Sequence, residues 1–435
     1  MTTSAPTAGR PPEGLLRHLF DVAVAAAMPR FVLPSRLPDP PVGRTVVIGA
    51  GKAAAEMAGA LEAHWTGRLS GLVIVPYGPH PSPGRITVLK AGHPVADAAG
   101  VSATKALMAE LQDLTAEDLV VCLLSGGGSA LLCAPAPGVT LQDKQAVTRT
   151  LLRSGATISE INTVRKHLSA VKGGRLADLA RPARLVTLAI SDVPGDDPSV
   201  LASGPTLPDP TTREAALAIL ARHAPDAPQG VLDWLGDPRS ETSWPNPDHL
   251  PDLRVIATAD QALSAAAVVA RVQGYEPLVL GGAIEGSAEA VAADHAALVR
   301  RVLAGEGPVR PPCVILSGGE TTVTVRGGGR GGRNTQFLLA LALALQGVPG
   351  VHALAADTDG IDGSEDNAGA VIAPDTLRRA QALGLDARNA LTSTDAWSVF
   401  DSLDNLVVTG PTGTNVNDFR AILIEGPPAP SKEPT

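Results

Sequence analysis

The chain has 435 residues, of which 44 % are hydrophobic and only 3 % aromatic, with a formal charge of −9 and a pI near 5.5. That length suits two or three domains built on Ala, Leu and Val rather than on aromatic cores. The acidic balance speaks against a nonspecific nucleic-acid binder, while a local positive pocket for a small anion stays open.

In chain order, Glu13 to Met28 reads as a helix, with Leu15, Leu16, Leu19, Phe20, Val24 and Ala27 at three- and four-residue steps. Its apolar run lacks the basic start and cleavage site of a signal peptide. Arg44 to Gly49 is a strand that ends in Gly49-Ala50-Gly51-Lys52 and leads into an alanine-rich helix, the opening of a parallel α/β domain. Gly49 and Gly51 supply part of a GxGxxG fingerprint, but the third position is Ala54 and no acidic residue follows the next strand. A P-loop is missing too. Leu72 to Val75 and Ile86 to Lys90 are strands, the second ending in Ala91-Gly92-His93-Pro94, where His93 could touch a substrate. Leu119 to Leu124 is a buried strand that runs into Ser125-Gly126-Gly127-Gly128-Ser129. A backbone without Cβ atoms can turn sharply there, and its amides suit phosphate or carboxylate.

Ile158 to His167 reads as a helix carrying Asn162, Arg165, Lys166 and His167, and Leu185 to Ile190 as a strand that delivers Asp192 to the carboxyl edge of the sheet. From His223 to Leu250 periodicity fades, which marks a boundary or crossover. A second α/β series follows. In it Pro312 to Leu316 and Thr321 to Arg326 are expected as strands flanking a second glycine turn, Ser317-Gly318-Gly319-Glu320. Gly327 to Gly332 holds Arg330, Arg333 comes next, and Asn334 to Leu345 is an apolar helix too short to cross a bilayer. Val351 to Ala355 leads into Asp357-Thr358-Asp359-Gly360-Ile361-Asp362-Gly363. Cys122, Cys133 and Cys313 lack metal-ligand spacing and read as buried thiols of a reducing compartment, so a cytoplasmic protein without membrane or nucleic-acid partners is expected.

Lys52 is a cation near the start of a helix, where the helix dipole disfavours it, and an anionic partner would resolve the anomaly. Arg330 and Arg333 lie on or beside a backbone able to fold tightly round phosphate oxygens. Asp192 is the first candidate for holding Mg²⁺ or accepting a proton. Asp359 and Asp362 come second, since either could simply organise its turn. No HExxH, GxSxG or serine-triad order is present.

The combination Gly49-Ala50-Gly51-Lys52, Ala91-Gly92-His93-Pro94, Ser125-Gly126-Gly127-Gly128-Ser129-Ala130, Asn162-Thr163-Val164-Arg165-Lys166-His167 and Ser191-Asp192-Val193 resembles the non-P-loop glycerate 2-kinases. From about residue 310 the chain is similar to their MOFRL domain, through Ser317-Gly318-Gly319-Glu320, Gly329-Arg330-Gly331-Gly332-Arg333-Asn334 and Thr358-Asp359-Gly360-Ile361-Asp362-Gly363. The resemblance implies ATP-dependent phosphorylation of D-glycerate at its 2-hydroxyl with a divalent metal such as Mg²⁺. It also implies an α/β architecture of two domains: a Rossmann-like parallel-sheet domain over 1–245, and an α/β region over 246–435 with its MOFRL core at about 310–425. The active site is expected in a cleft between them. Lys52 matches the family's proposed catalytic lysine, and one of Arg330 and Arg333 its MOFRL arginine. One departure stands out: the family usually reads Arg-Asn-Gln-Glu where this chain has Arg333-Asn334-Thr335-Gln336. Rival readings are an NAD(P)H-dependent hydroxypyruvate reductase and a non-enzymatic phosphometabolite-binding protein; homo-oligomerisation is left open.

Overall fold

The structure is a computed structural model that describes residues 10–243 and 251–426. It divides into two compact units, Pro29–Ile256 on one side and residues up to Met28 joined with Ala257 onward on the other. The domain boundary expected at 245/246 lies outside the described residues.

In the unit Pro29–Ile256, strands β1 (Thr45–Ala50), β2 (Leu69–Pro76), β3 (Thr87–Ala91), β4 (Leu119–Leu124), β5 (Arg184–Ile190) and β6 (Asp252–Ala257) form one sheet in the order β3-β2-β1-β4-β5-β6. The pairings from β3 through β5 are parallel. A parallel sheet is covered on both faces, which is why TVVIGA and LVVCLL are apolar runs and not alternating ones: every residue of β1 and β4 is buried. Successive strands are added on one side of β1 as far as β3 and on its other side from β4 onward. A crevice therefore opens at the carboxyl ends of these two strands, the usual ligand position in an open α/β sheet.

Helices Leu141–Arg153, Ile158–His167, Arg213–His223 and Gln229–Gly236 build a separate apolar cluster from Val147, Leu151, Val164, Leu220, Trp234 and Leu235. Trp234 Nε1 donates to the His167 carbonyl at 2.8 Å. Thr157 and Glu160 form a reciprocal capping box that fixes where Ile158–His167 begins, so its last turn presents Arg165 and Lys166 in a set direction. Gln229–Gly236 falls in the stretch without evident periodicity; two turns are too few for a pattern to register.

The second unit holds β7 (Glu276–Val279), β8 (Ile284–Ser287), β9 (Cys313–Thr322), β10 (Val351–Asp357), β11 (Gly369–Ile372), β12 (Leu406–Val407) and β13 (Asp418–Ile424). Its mixed sheet runs β12-β11-β10-β13-β9-β7, with β8 also paired to β9. Helices Ala288–Leu303 and Arg333–Leu345 share a core with Cys313, Ile315, Ala353, Ile422 and Ile424. The alternate residues of these strands face the other way, where Phe419 meets Phe20 of the helix Pro12–Ala27 with ring centroids 5.9 Å apart. Ser317-Gly318-Gly319-Glu320, expected as a turn between two strands, is the uninterrupted middle of β9. Gly319 pairs with Asp418 on one side and Ile284 on the other, and a Cβ there would collide with the Ile284 backbone. These glycines admit a neighbouring strand; they do not reverse the chain.

Candidate active site

At the β1/β4 crevice two turns are laced together. The Lys52 amide donates to the Gly126 carbonyl at 2.8 Å, the Ser125 amide to the Ala50 carbonyl at 3.2 Å, and the Ala53 amide to Ser125 Oγ at 3.0 Å. Gly49 is the last residue but one of β1, and Gly51 lies directly against the backbone of Ser125. Gly127 has φ +82°, and a Cβ on it would come within 2.9 Å of the His93 ring and 3.6 Å of Lys52 Cγ. The bare Gly126-Gly127-Gly128 backbone is thus what lets a cation and an imidazole gather at one point. The sheet brings together Lys52, His93 and Ser125 to Gly128 from three separate strand ends. Asp192, half-buried, follows β5 two residues past its end, beside β4.

Deeper in the same unit lies a cluster around Ser129. Arg165 Nη2 donates to Ser129 Oγ at 3.0 Å, Lys172 Nζ donates to the Ser129 carbonyl at 2.9 Å, and Ser203 Oγ lies 2.6 Å from Ser129 Oγ. Burial, together with the charges of Arg165 and Lys144, holds the Lys172 ammonium well below the usual lysine range, and burial lowers Lys144 to about 8. Lys166 is different: its ammonium is paired with buried Asp209 at 3.3 Å, so that charge is already balanced. Lys172 and Ser203 were not singled out from the sequence. The available signal was Lys172-Gly173-Gly174-Arg175, two cations round a glycine pair, yet nothing local shows that such a lysine will be buried.

In the second unit Arg333 is a hub. Its guanidinium donates to Asp418 Oδ1, Glu320 Oε1 and Asp357 Oδ2, each at 2.8 Å. Burial works against its charge, but the three carboxylates outweigh burial and hold it above the ordinary arginine value. Arg330 is half exposed, stacked 3.6 Å over the Trp397 ring and forked onto Glu365 at 3.2 and 2.7 Å. Asn334 Nδ2 donates to Asp418 Oδ1 at 2.8 Å. Ser317 Oγ lies 2.9 Å from His295 Nε2, while Gly318 and Gly319 serve strand pairing.

Asp359 Oδ1 accepts from the Ile361 amide at 2.9 Å. Both oxygens of Asp362 receive the amides of Asn334 and Thr335 at 2.9 Å, at the amino end of Arg333–Leu345. Burial raises the Asp362 carboxyl above its usual range, with those amides opposing. Gln336 Nε2 donates to Glu289 Oε1 at 2.8 Å and to the Leu391 carbonyl at 2.9 Å, so this position needs a donor, which a glutamate would not supply. Among the described residues no three His, Cys, Asp or Glu side chains form a group able to hold a metal ion. Asp418, Glu320 and Asp357 do converge, but on the Arg333 guanidinium. A resident metal does not fit this donor set, whereas a divalent ion carried on nucleotide phosphates needs only one or two protein oxygens.

Residues 15–236 match a family described as a domain of unknown function, DUF4147, and residues 313–418 match the MOFRL family. The chain is 51 % identical over 414 residues, 94 % of each chain, to an Agrobacterium vitis protein with the provisional name hydroxypyruvate reductase. It is 36 % identical over 420 residues to the D-glycerate 2-kinase of Thermotoga maritima, covering 95 % of this chain and 99 % of that one. The crystal structure of glycerate kinase from T. maritima matches with a TM-score of 0.85 at 35 % identity, over 95 % of this chain and 100 % of the other. By sequence and fold alike, the chain belongs to the glycerate 2-kinase family with a carboxy-terminal MOFRL domain.

Proposed function

We propose that the protein transfers the γ-phosphoryl group of ATP to the 2-hydroxyl of D-glycerate, giving 2-phosphoglycerate and ADP. The observation that carries this reading is the meeting of Lys52 and His93 with the bare glycine backbone at the β1/β4 crevice. Phosphoryl transfer asks a protein mainly for alignment and for fixed positive charge on the travelling group. Lys52 is assigned to the phosphoryl oxygens and the Gly126 to Gly128 backbone to close approach of the phosphates. Asp192 is assigned to take the hydroxyl proton as the glycerate oxygen attacks phosphorus and the bond to the leaving ADP oxygen breaks. Of the two arginines, Arg330 is assigned to substrate, because the Arg333 guanidinium is already engaged by three carboxylates. The nucleotide enters as its Mg²⁺ complex, with the metal part of the substrate.

The test is one assay of the purified protein with D-glycerate and MgATP, followed by phosphorus NMR. ADP and 2-phosphoglycerate in equal amounts are expected; a 3-phosphate signal would overturn the regiochemistry. Oxidation of NADH or NADPH by hydroxypyruvate, with no ADP formed from glycerate, would overturn the kinase reading. Against that outcome stands the end of β2, where Pro76 and Tyr77 follow in place of an acidic residue and the nearby Asp97 carboxylate is engaged by the Tyr77 hydroxyl and the Gly100 amide.

A further inference from the structure

The Ser129 cluster has more donors than acceptors. Lys172, 2 % exposed, donates to the Ser129 carbonyl, to Ser129 Oγ at 3.4 Å and to the Ala202 carbonyl at 3.1 Å. A hydroxyl oxygen offers two lone pairs and one proton. Arg165 and Lys172 take both lone pairs of Ser129 Oγ, so its proton goes to Ser203 Oγ. The proton of Ser203, itself buried, then finds no acceptor among the described residues. Arg165 uses one guanidinium N–H on Ser129, and no other described residue accepts from the remainder. No carboxylate among the described residues pairs with Arg165 or Lys172, in contrast to Lys166 and Asp209. Ala202 and Ser203 hold φ values of +50° and +63°, a left-handed backbone costly for residues with a Cβ and kept only where the surroundings impose it. Donors without a protein acceptor, beside positive charge that no carboxylate pairs with, are stabilised by an anion.

We infer that Arg165 and Ser203 bind the carboxylate of the acceptor, and that Lys172 is a positioning residue that holds Ser129 and the Ala202 backbone in place for them. The assignment rests on the glycerate kinase reading. A planar guanidinium fork beside one hydroxyl matches a planar two-oxygen anion, whereas the glycine backbone at Lys52 suits phosphate. The acceptors are therefore small hydroxy acids, and an alcohol lacking the carboxylate, such as glycerol, leaves these donors unpaired and is rejected.

Ser203→Ala, Arg165→Gln, Lys172→Met and Lys172→Arg are compared with the parent protein for KM of glycerate and of ATP. In Ser203→Ala the KM for glycerate rises about tenfold or more while that for ATP stays within about twofold, the loss expected for a hydrogen bond to a charged group. Arg165→Gln loses more, Lys172→Met shows the same selectivity, and Lys172→Arg recovers part of it. A rise confined to the KM of ATP would reassign the seat to nucleotide phosphate and overturn the inference, as would unchanged values for both substrates. Isothermal titration with D-glycerate and with glycerol reads the seat without turnover. Glycerate binding that is lost in Ser203→Ala supports the seat even if phosphorylation fails. Equal binding by parent and variant, or none by the parent, overturns it.

Discussion

Lys52 follows the tight end of β1 and precedes the helix Ala54–His64, where a positive charge gains nothing from the helix itself. Its anchored amide and its place beside Gly127 make it a preorganised cation. Lys52→Ala is expected to lower kcat by on the order of 10²-fold, since such a donor contributes roughly 3 kcal/mol in a transition state. Steady-state kinetics checks this: a raised KM with kcat intact would place Lys52 in ground-state binding only. The two arginines separate by a different measurement. Arg333→Ala takes this guanidinium from Asp357 and Glu320 and leaves Asp418 to Arg420, so a loss of about 3–5 kcal/mol is expected in urea unfolding, the scale for removing one partner of a buried pair. Arg330→Ala should melt near the parent temperature and lose activity, because its partners are a surface carboxylate and an exposed stacking contact. At this scale the sequence made the candidates legible: a lysine at a glycine turn and an arginine pair in a glycine loop can be read from neighbours alone. It did not show which arginine is occupied, because Asp418 and Asp357 reach Arg333 only through the sheet. Nor did it explain Gln336, whose amide is required by Glu289 and the Leu391 carbonyl.

At the scale of elements, the site depends on β1 and β4 keeping register, and a clasp at their amino ends enforces it. Asp118 accepts from the Arg44 amide at 2.8 Å and from the Thr115 amide at 2.8 Å, just before β4. The Thr115 and Arg44 amides hold its carboxyl below the usual aspartate range. A depressed carboxyl stabilises the fold above its unfolded pKa, and that contribution disappears as pH falls through the folded value. The parent protein should therefore lose more unfolding free energy on going from neutrality to below about pH 4 than Asp118→Asn does, the other acids being common to both. Urea titrations across that range decide it, and parallel curves would show that the clasp contributes nothing. Strands and helices were legible because periods of 2 and 3.6 are local signals. The run Ser317 to Glu320 was not, because a glycine pair between apolar segments fits a reversal and a crowded strand equally well. Only the partners on either side, β13 and β8, distinguish the two.

For the whole molecule, the first helix shows where chain order and spatial order part. Pro12–Ala27 precedes the six-strand sheet in sequence yet belongs to the unit that begins again at Ala257. It lies on β10 and β13 and along the helix Ala259–Val272. Thr414 Oγ1 donates to the Ala27 carbonyl at 2.7 Å, and Arg17 Nη2 to the Leu406 carbonyl at 3.3 Å. The amphipathic pattern of Leu15, Leu16, Leu19 and Phe20 announces that this helix is buried, but an apolar stripe does not name its partner. Phe20 is 1 % exposed and packs on Phe419, so Phe20→Ala is expected to cost about 3–5 kcal/mol. The loss should be local to one unit. By amide hydrogen exchange, β10 and β13, more than two hundred residues downstream in sequence, should lose protection while β1 and β4 keep theirs. Equal loss in both sheets would show that the two units unfold together, and loss confined to β1 and β4 would contradict the packing of this helix altogether.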